Sequence, residues 1–308
     1  MTPLPVTICL CTRNGAAHLP AQLDSYLAQT HENWALWISD DGSDDATPEI
    51  LHAFRKAHGH RRDIRILRGP QRGVAANYLS LLTHPDLPPG PVALSDQDDV
   101  WHPGKLSRAL AGIGAAGGPV LYGAQYLYTD AALRVTGHSR PPGRGPSFGN
   151  ALVQNIVSGH SAMLNAPALE LLRRAGMPDG LAFHDWWLYQ LVTGAGGRVI
   201  CDRERVLSYR QHGANHLGAR HGIRAAGTRA AALLGRRYGG WVAAHIAALN
   251  RASHLLTPES RAILRALSAA DTPRHGPARA ALLARCGLHR QTRPETAALY
   301  LAALLGRV

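Results

Sequence analysis

The chain has no run of about 18 apolar residues, so no segment is long enough to span a bilayer as a helix. Its N-terminus, "MTPLPVTICLCTRNG", has no basic stretch ahead of an apolar one and reads directly into a strand, not as a signal peptide. Cysteine is scarce. Cys9, Cys11, Cys201 and Cys286 show neither CxxC nor Cys/His spacing, which argues against a disulfide scaffold and the common zinc modules. A reducing cytoplasm suits such a chain. Lysine is nearly missing, with Lys56 and Lys105 set against 31 arginines. Acidic residues are missing from one region: residues 218–308 hold 14 arginines and only Glu259, Asp271 and Glu295, whereas residues 1–217 balance 19 basic against 18 acidic side chains. A near-neutral body therefore carries a basic C-terminal segment. That asymmetry suits an anionic partner (nucleic acid, a membrane surface or a charged substrate) or a solvated face in an arginine-rich composition. The segment lacks the aromatic interleaving of nucleic-acid modules, which argues against nucleic acid.

What is present is an alternation of strand and helix. "VTICLC" (6–11) and "WALWIS" (34–39) read as buried strands, "DIRIL" (63–67) as a half-buried one and "VALSD" (92–96) as a fourth. Between them Leu19, Leu23, Tyr26 and Leu27 recur at helical spacing. Thr47-Pro48-Glu49 predicts an N-cap, a first-position proline and a first-turn acid, and a further helix is expected over 73–83. This βαβ series predicts an α/β fold with a mainly parallel central sheet and flanking helices. Residues 118–217 predict strands at 120–130 and 155–165, a helix from Ala166 to Ala175, another from "FHDWW", and two closing strands, "RVICD" and "RVLSYRQH". The Pro/Gly stretch 140–150 reads as a loop. Beyond 218 the chain predicts helices, with Pro258, Pro277 and Pro294 near their starts. The division expected is a catalytic unit over 1–217, its halves meeting near 125, and a helical segment over 218–308.

Polar clusters follow three of the strands: "CTRNG" (11–15), "SDDGSDD" (39–45) and "SDQDDVW" (95–101). In a parallel sheet ligands bind beyond the carboxyl ends of the strands. Asp96, Asp98 and Asp99 crowd one such end. Close carboxylates either lie solvated in a turn or hold a cation between them. Hard oxygen ligands suit Mg²⁺ or Mn²⁺. "DDGSDD" is also good turn chemistry, and Asp44 and Asp45 fit that reading best.

Five blocks in order carry a resemblance: "VTICLCTRNGAAHLPAQLDSYLAQTHENWALWISDDGSDDAT", "LSDQDDVWHPGKL", "NIVSGHSAMLN", "HDWWLYQLVTGAGGRV" and "YRQHGANHLG". Over most of 6–218 the sequence resembles the family 2 glycosyltransferases, especially the bacterial rhamnosyltransferase-like members. The resemblance implies the nucleotide-diphospho-sugar transferase (GT-A) fold with a C-terminal helical addition, and an inverting, metal-dependent transfer. It implies that Thr12, Arg13 and Asn14 line the nucleotide pocket and that Asp40 and Asp41 lie near base and ribose. Arg13 stands where an aromatic residue is frequent in the family, and an arginine there suits phosphate. Asp96 matches the first acid of the family's DxD motif, near ribose and metal, and Asp98 the acid that ligates Mg²⁺ or Mn²⁺. Asn77 points at the site from a helix, or belongs to an ordinary helix start. Asp185 matches the catalytic base, with Trp186 and Trp187 as apolar walls or a sugar-stacking face and His184 in support; alternatively Asp185 is only an N-cap. His212 matches a histidine that completes the metal site or meets the diphosphate, and Arg210 would neutralise phosphate.

The expected substrates are a nucleotide-sugar donor, dTDP-rhamnose first and UDP-hexoses next, and a hydroxyl on a glycan or lipid-linked glycan. The competing class is a non-catalytic protein binding an anionic polymer through its basic tail. That tail is also expected to touch an anionic membrane from the cytoplasmic side, or to pack on the body or on a second copy. In 258–271 the shared face of Ile263, Leu264 and Leu267 is the apolar surface available for either.

Overall fold

The computed structural model describes residues 4–211 and 235–308. Strands are β1 (Val6–Thr12), β2 (Trp34–Asp40), β3 (Ile64–Arg68), β4 (Val92–Ser95), β5 (Val100–Trp101), β6 (Val120–Thr129), β7 (Val135–His138), β8 (Met163–Leu164) and β9 (Arg198–Arg210). Helices are α1 (Leu19–Leu27), α2 (Thr47–His58), α3 (Val74–Leu82), α4 (Lys105–Ile113), α5 (Phe148–Ala151), α6 (Ala166–Ala175), α7 (His184–Gly194), α8 (Arg236–Arg251), α9 (Pro258–Ser268), α10 (Gly276–Arg285) and α11 (Arg293–Leu304).

Among the described residues the strands form one sheet in the order β3-β2-β1-β4-β8-β6-β9-β5, with β7 on β6. The first four are parallel, as the βαβ pattern requires, and β6 with β9 is parallel too. β8 joins the two blocks by antiparallel pairing to β4 and β6. All seven residues of β1 are buried, because helices cover both faces. Its side chains alternate between two cores: Ile8 and Leu10 meet Leu36, Ile38 and Trp101, while Cys9 and Cys11 meet Trp37, Tyr78 and Leu94. Burial pushes the Cys9 thiol up to about 12, so it acts as a small apolar side chain. Registers Thr12 with Asp40 and Leu10 with Ser95 align the three polar strand ends.

Several expectations need correction. Thr47 is not a cap: the residue before α2 is Ala46, and the Thr47 hydroxyl instead accepts the Gly15 N–H at 2.8 Å. Leu27 ends α1 exposed. Residues 155–165 are mostly not strand, and only Met163–Leu164 pairs. Here side chains compete with the ladder. Asn155 accepts from Val157 N at 3.1 Å and donates to Val157 O at 2.9 Å, and Ser161 Oγ donates to Ser158 O at 3.0 Å. The two expected closing strands are one, β9, whose pairing with β6 slips twice near Gln125. Helix α6 spans the predicted residues, capped by Asn165, whose side chain accepts Ala168 N.

The C-terminal helices start at or beside Pro258, Pro277 and Pro294. They share one hydrophobic core with α3, α6 and α7. Leu264 and Leu267 are buried in it and Ile263 packs against it, so the apolar face of α9 is spent inside the protein.

Candidate active site

The loops after β1, β2 and β4 are stitched together. Asp40 accepts from Thr12 Oγ1 at 2.7 Å, from Ser43 Oγ at 2.6 Å and from Ser43 N at 2.9 Å. Asn14 takes a left-handed φ of 50°, which Asn tolerates, held by Ser43 Oγ on its N–H and Asp44 N on its side chain. Gln97, inside "SDQDD", accepts the Arg13 N–H at 2.8 Å and donates to the Arg13 carbonyl at 2.9 Å. The Arg13 and Asn14 side chains lie exposed at this rim. Asp41 is buried and accepts the N–H groups of Gln71 at 2.6 Å and Gly73 at 3.1 Å. Gly73 sits at φ 89°, a conformation that favours glycine. Asp41 thus fixes the 69–73 loop at the edge of the strand ends.

The three acids of "SDQDD" have three environments. Asp96 is half-buried and its Oδ1 accepts the Tyr78 hydroxyl at 2.6 Å. Burial, with the Asp98 carboxylate beside it, pushes Asp96 up to about 7. Asp98 is half-exposed, and its carbonyl accepts Arg210 Nε at 3.1 Å. Asp99 is fully buried, and neither carboxylate oxygen has a hydrogen-bond partner. Burial and its acidic neighbours hold Asp99 well above the usual carboxylate range. One oxygen of Asp96, one of Asp99 and a ring nitrogen of His160 lie within 4.8 Å of one another. His160 Nδ1 is 3.8 Å from Asp96 Oδ2, and Nε2 has no partner. Burial, helped by the charge of Lys105, pushes His160 down to about 3, so the imidazole is neutral and this contact is not an ion pair. Two carboxylates and a neutral imidazole form a donor set that fits a divalent cation. The unpartnered buried oxygens of Asp99 are the part of it that a cation would satisfy.

Asp185 lies in the first turn of α7, where the helix dipole favours negative charge. It is not the cap residue, which is Phe183. Its Oδ1 accepts Trp186 N at 2.8 Å and its Oδ2 accepts Gly159 N at 3.1 Å. Burial pushes Asp185 up to about 6, and these backbone donors hold it back from going higher. A glycine is required at 159, because a Cβ there would sit 2.6 Å from His184 Nε2. His184 stacks on Tyr78 with ring centroids 3.9 Å apart. Tyr78 thus bridges the Asp96 carboxylate and the start of α7. Asp185 accepts the N–H of Gly159, next in the chain to His160, and its neighbour His184 stacks on the Tyr78 ring whose hydroxyl donates to Asp96, so base candidate and cation candidates lie side by side.

Four residues expected at the site are committed elsewhere. Asn77 is buried, with its amide accepting Ser39 Oγ at 2.6 Å and donating to Ser39 O at 2.9 Å, so it braces the end of β2. Trp186 is no stacking face. Its indole N–H donates to Ala151 O at 2.6 Å, and its ring lies 4.6 Å from His245 and 6.4 Å from Tyr238 on α8. Trp187, the other wall expected here, is fully buried too. Arg210 is buried and spans from the Asp98 carbonyl to Ala131 O at 2.5 Å, holding the acidic loop from behind. His212 lies outside the described residues.

His160 and Tyr78 carry no signal in the sequence, and Asp99 is named there only as one of three crowded carboxylates. Asp99 stood in the quoted motif but carries no spacing signal of its own. His160 sat in a segment that read as strand, and its ring is set by Tyr126 at 4.5 Å and Tyr209 at 4.9 Å, far away in sequence.

Comparison with known proteins bears on the family and the fold. Residues 7–174 match the family model described as glycosyl transferase family 2. A dTDP-rhamnosyl transferase, RfbG of Shigella flexneri, is 23% identical over 224 residues, covering 68% of this chain and 74% of its own. Among solved structures, S. aureus TarS in complex with UDP-GlcNAc aligns with a TM-score of 0.55 at 13% identity over 92% of this chain and 89% of that one. The mannosyltransferase PcManGT from Pyrobaculum calidifontis, in complex with GDP-Man and Mn²⁺, aligns with a TM-score of 0.52 at 19% identity over 98% of this chain and 85% of that one. The GT-A fold implied by the sequence is the fold observed. With the family model covering more than half of its length, the chain belongs to glycosyl transferase family 2.

Proposed function

We propose that this glycosyltransferase moves rhamnose from dTDP-rhamnose to a hydroxyl of a growing cell-surface glycan, with inversion and with a divalent cation. The observation that carries the reading is the donor set of Asp96, Asp99 and His160 with Asp185 beside it, tied in through Gly159 and through the Tyr78–His184 stack. Asp185 takes the proton of the acceptor hydroxyl as that oxygen attacks the anomeric carbon. The bond from this carbon to the diphosphate breaks, and its electron pair leaves with the nucleoside diphosphate. Asp96, Asp99 and His160 would hold the cation, with Asp98 and His212 as the further candidates. When bound, Mg²⁺ or Mn²⁺ offsets the charge developing on the leaving group. An imidazole in the set favours Mn²⁺ over Mg²⁺, and Mn²⁺ is present in the mannosyltransferase structure. Arg13, Asn14 and Asp40 line the nucleotide rim, and the buried Thr12 and Asp41 brace it. Rhamnose rests on the similarity to the Shigella enzyme. The TarS complex contains UDP-GlcNAc and the mannosyltransferase GDP-Man, so the nucleobase needs a direct test. The non-catalytic, anionic-polymer alternative is disfavoured by the match of residues 7–174 to the glycosyl transferase family.

A panel of dTDP-, UDP- and GDP-sugars, each titrated against the protein with Mn²⁺, tests the donor. Saturable binding and slow hydrolysis are expected for dTDP-rhamnose first. A clear preference for a UDP- or GDP-hexose would replace rhamnose and leave the mechanism standing.

A further inference from the structure

An open groove of about 860 Å³ runs between α8, the 269–274 turn, α10 and the end of α11. Arg274, Arg279 and Arg307 line it, and no acidic side chain does. Asp271 neighbours the lining residues Ala270 and Thr272 in sequence. Among the described residues no aspartate or glutamate forms an ion pair with any of the three arginines. Arg279 spends Nε on the Val308 carbonyl at 3.2 Å.

The groove continues into an apolar stripe. Helix α11 buries Leu299, Ala302 and Ala303, yet its opposite side exposes Leu301, Leu304 and Leu305 at 47%, 39% and 57%. Their spacing of i, i+3 and i+4 puts them on one face. Leu305 also lines the groove, so stripe and arginines are contiguous. Single exposed leucines are ordinary, whereas a cluster of them beside an arginine-lined groove without aspartate or glutamate is not. The apolar face of α9, open in the sequence to membrane or protein, is buried in the protein, which leaves α11 to supply an exposed one.

We propose that the groove and the α11 stripe seat the protein on an anionic bilayer, lipid phosphates meeting Arg274, Arg279 and Arg307 and the three leucines entering the acyl boundary. Charge complementarity selects this occupant over a second copy: Arg274, Arg279 and Arg307 line the groove with no aspartate or glutamate among its lining residues, so two such faces repel. The proposal stands independently of the donor and of Asp185.

The test is flotation of the full chain with phosphatidylcholine vesicles, with and without phosphatidylserine, at low and high salt. Binding is expected to need phosphatidylserine and to fall with salt. Each arginine lost is expected to weaken partitioning about fivefold, so Arg274→Glu with Arg307→Glu lowers it at least roughly 25-fold. Leu301→Ser with Leu305→Ser abolishes it. All four positions are at least partly exposed, and an unchanged circular dichroism spectrum and unchanged donor binding show that the variants fold. Absence of flotation at low salt, flotation indifferent to both double variants, or a dimer dissolved by the leucine variant would each overturn the proposal.

Discussion

Replacing Asp185 by asparagine lowers kcat by about 10²–10⁴-fold and leaves donor binding within a few-fold of wild type, the range that general-base catalysis contributes. The substitution keeps the shape and one acceptor oxygen, so at least one of the backbone contacts from Trp186 and Gly159 survives and α7 still starts in place. The pH dependence follows from the same group. Only the ionised carboxylate accepts a proton, and burial sets its titration at about 6. Activity therefore falls as pH drops through that value, by roughly tenfold per unit below it, and this acid limb disappears in the variant. A rate profile at saturating Mn²⁺ checks both. A variant within a few-fold of wild type, or an acid limb that persists in it, would assign the proton to another group and leave Asp185 a helix-start residue.

The second large effect concerns the cation. Asp99→Asn and His160→Gln each raise the Mn²⁺ concentration for half-maximal activity by at least roughly 10–100-fold, since even the hydrogen-bond partners of metal ligands contribute that much. Asp99→Asn removes a carboxylate whose oxygens have no protein partner, so the metal-free protein keeps its fold. Direct Mn²⁺ binding, measured by calorimetry without donor, separates loss of the ion from loss of chemistry. The assignment made on resemblance alone gives a different pattern: Asp98→Ala would abolish Mn²⁺ binding while Asp99→Asn and His160→Gln leave it unchanged. That second outcome would show that Asp99 and His160 pack the site without ligating.

The strand ends were legible in the sequence because their signals are local. "SDQDD" follows an apolar run, α6 is capped by Asn165 and stopped before Gly176, and the prolines of the tail mark helix starts. The chemistry of individual acids was not legible, because it depends on distant contacts. Asp96, Asp98 and Asp99 differ in burial only once β4 is set beside β1 and β8. His160 joins them only because Asn155 and the Ser158–Ser161 pair turn a strand-like segment into a loop. Trp186 misled for the converse reason. Two tryptophans after an acid at a helix start suggest a sugar platform, but α8 docks on that side and covers it, and nothing near residue 186 announces a helix that begins at residue 236. The apolar face of α9 was legible as a face, but whether membrane or protein covers it was not, since spacing gives a stripe and not its partner; the structure buries it in the protein.

The most direct measurement is release of nucleoside diphosphate from dTDP-rhamnose in the presence of Mn²⁺, before and after EDTA and after Mn²⁺ is restored. Sugar transfer through a cation at Asp96, Asp99 and His160 predicts release that stops with EDTA and returns with Mn²⁺. Release indifferent to EDTA, or no turnover of any dTDP-, UDP- or GDP-sugar, would contradict it.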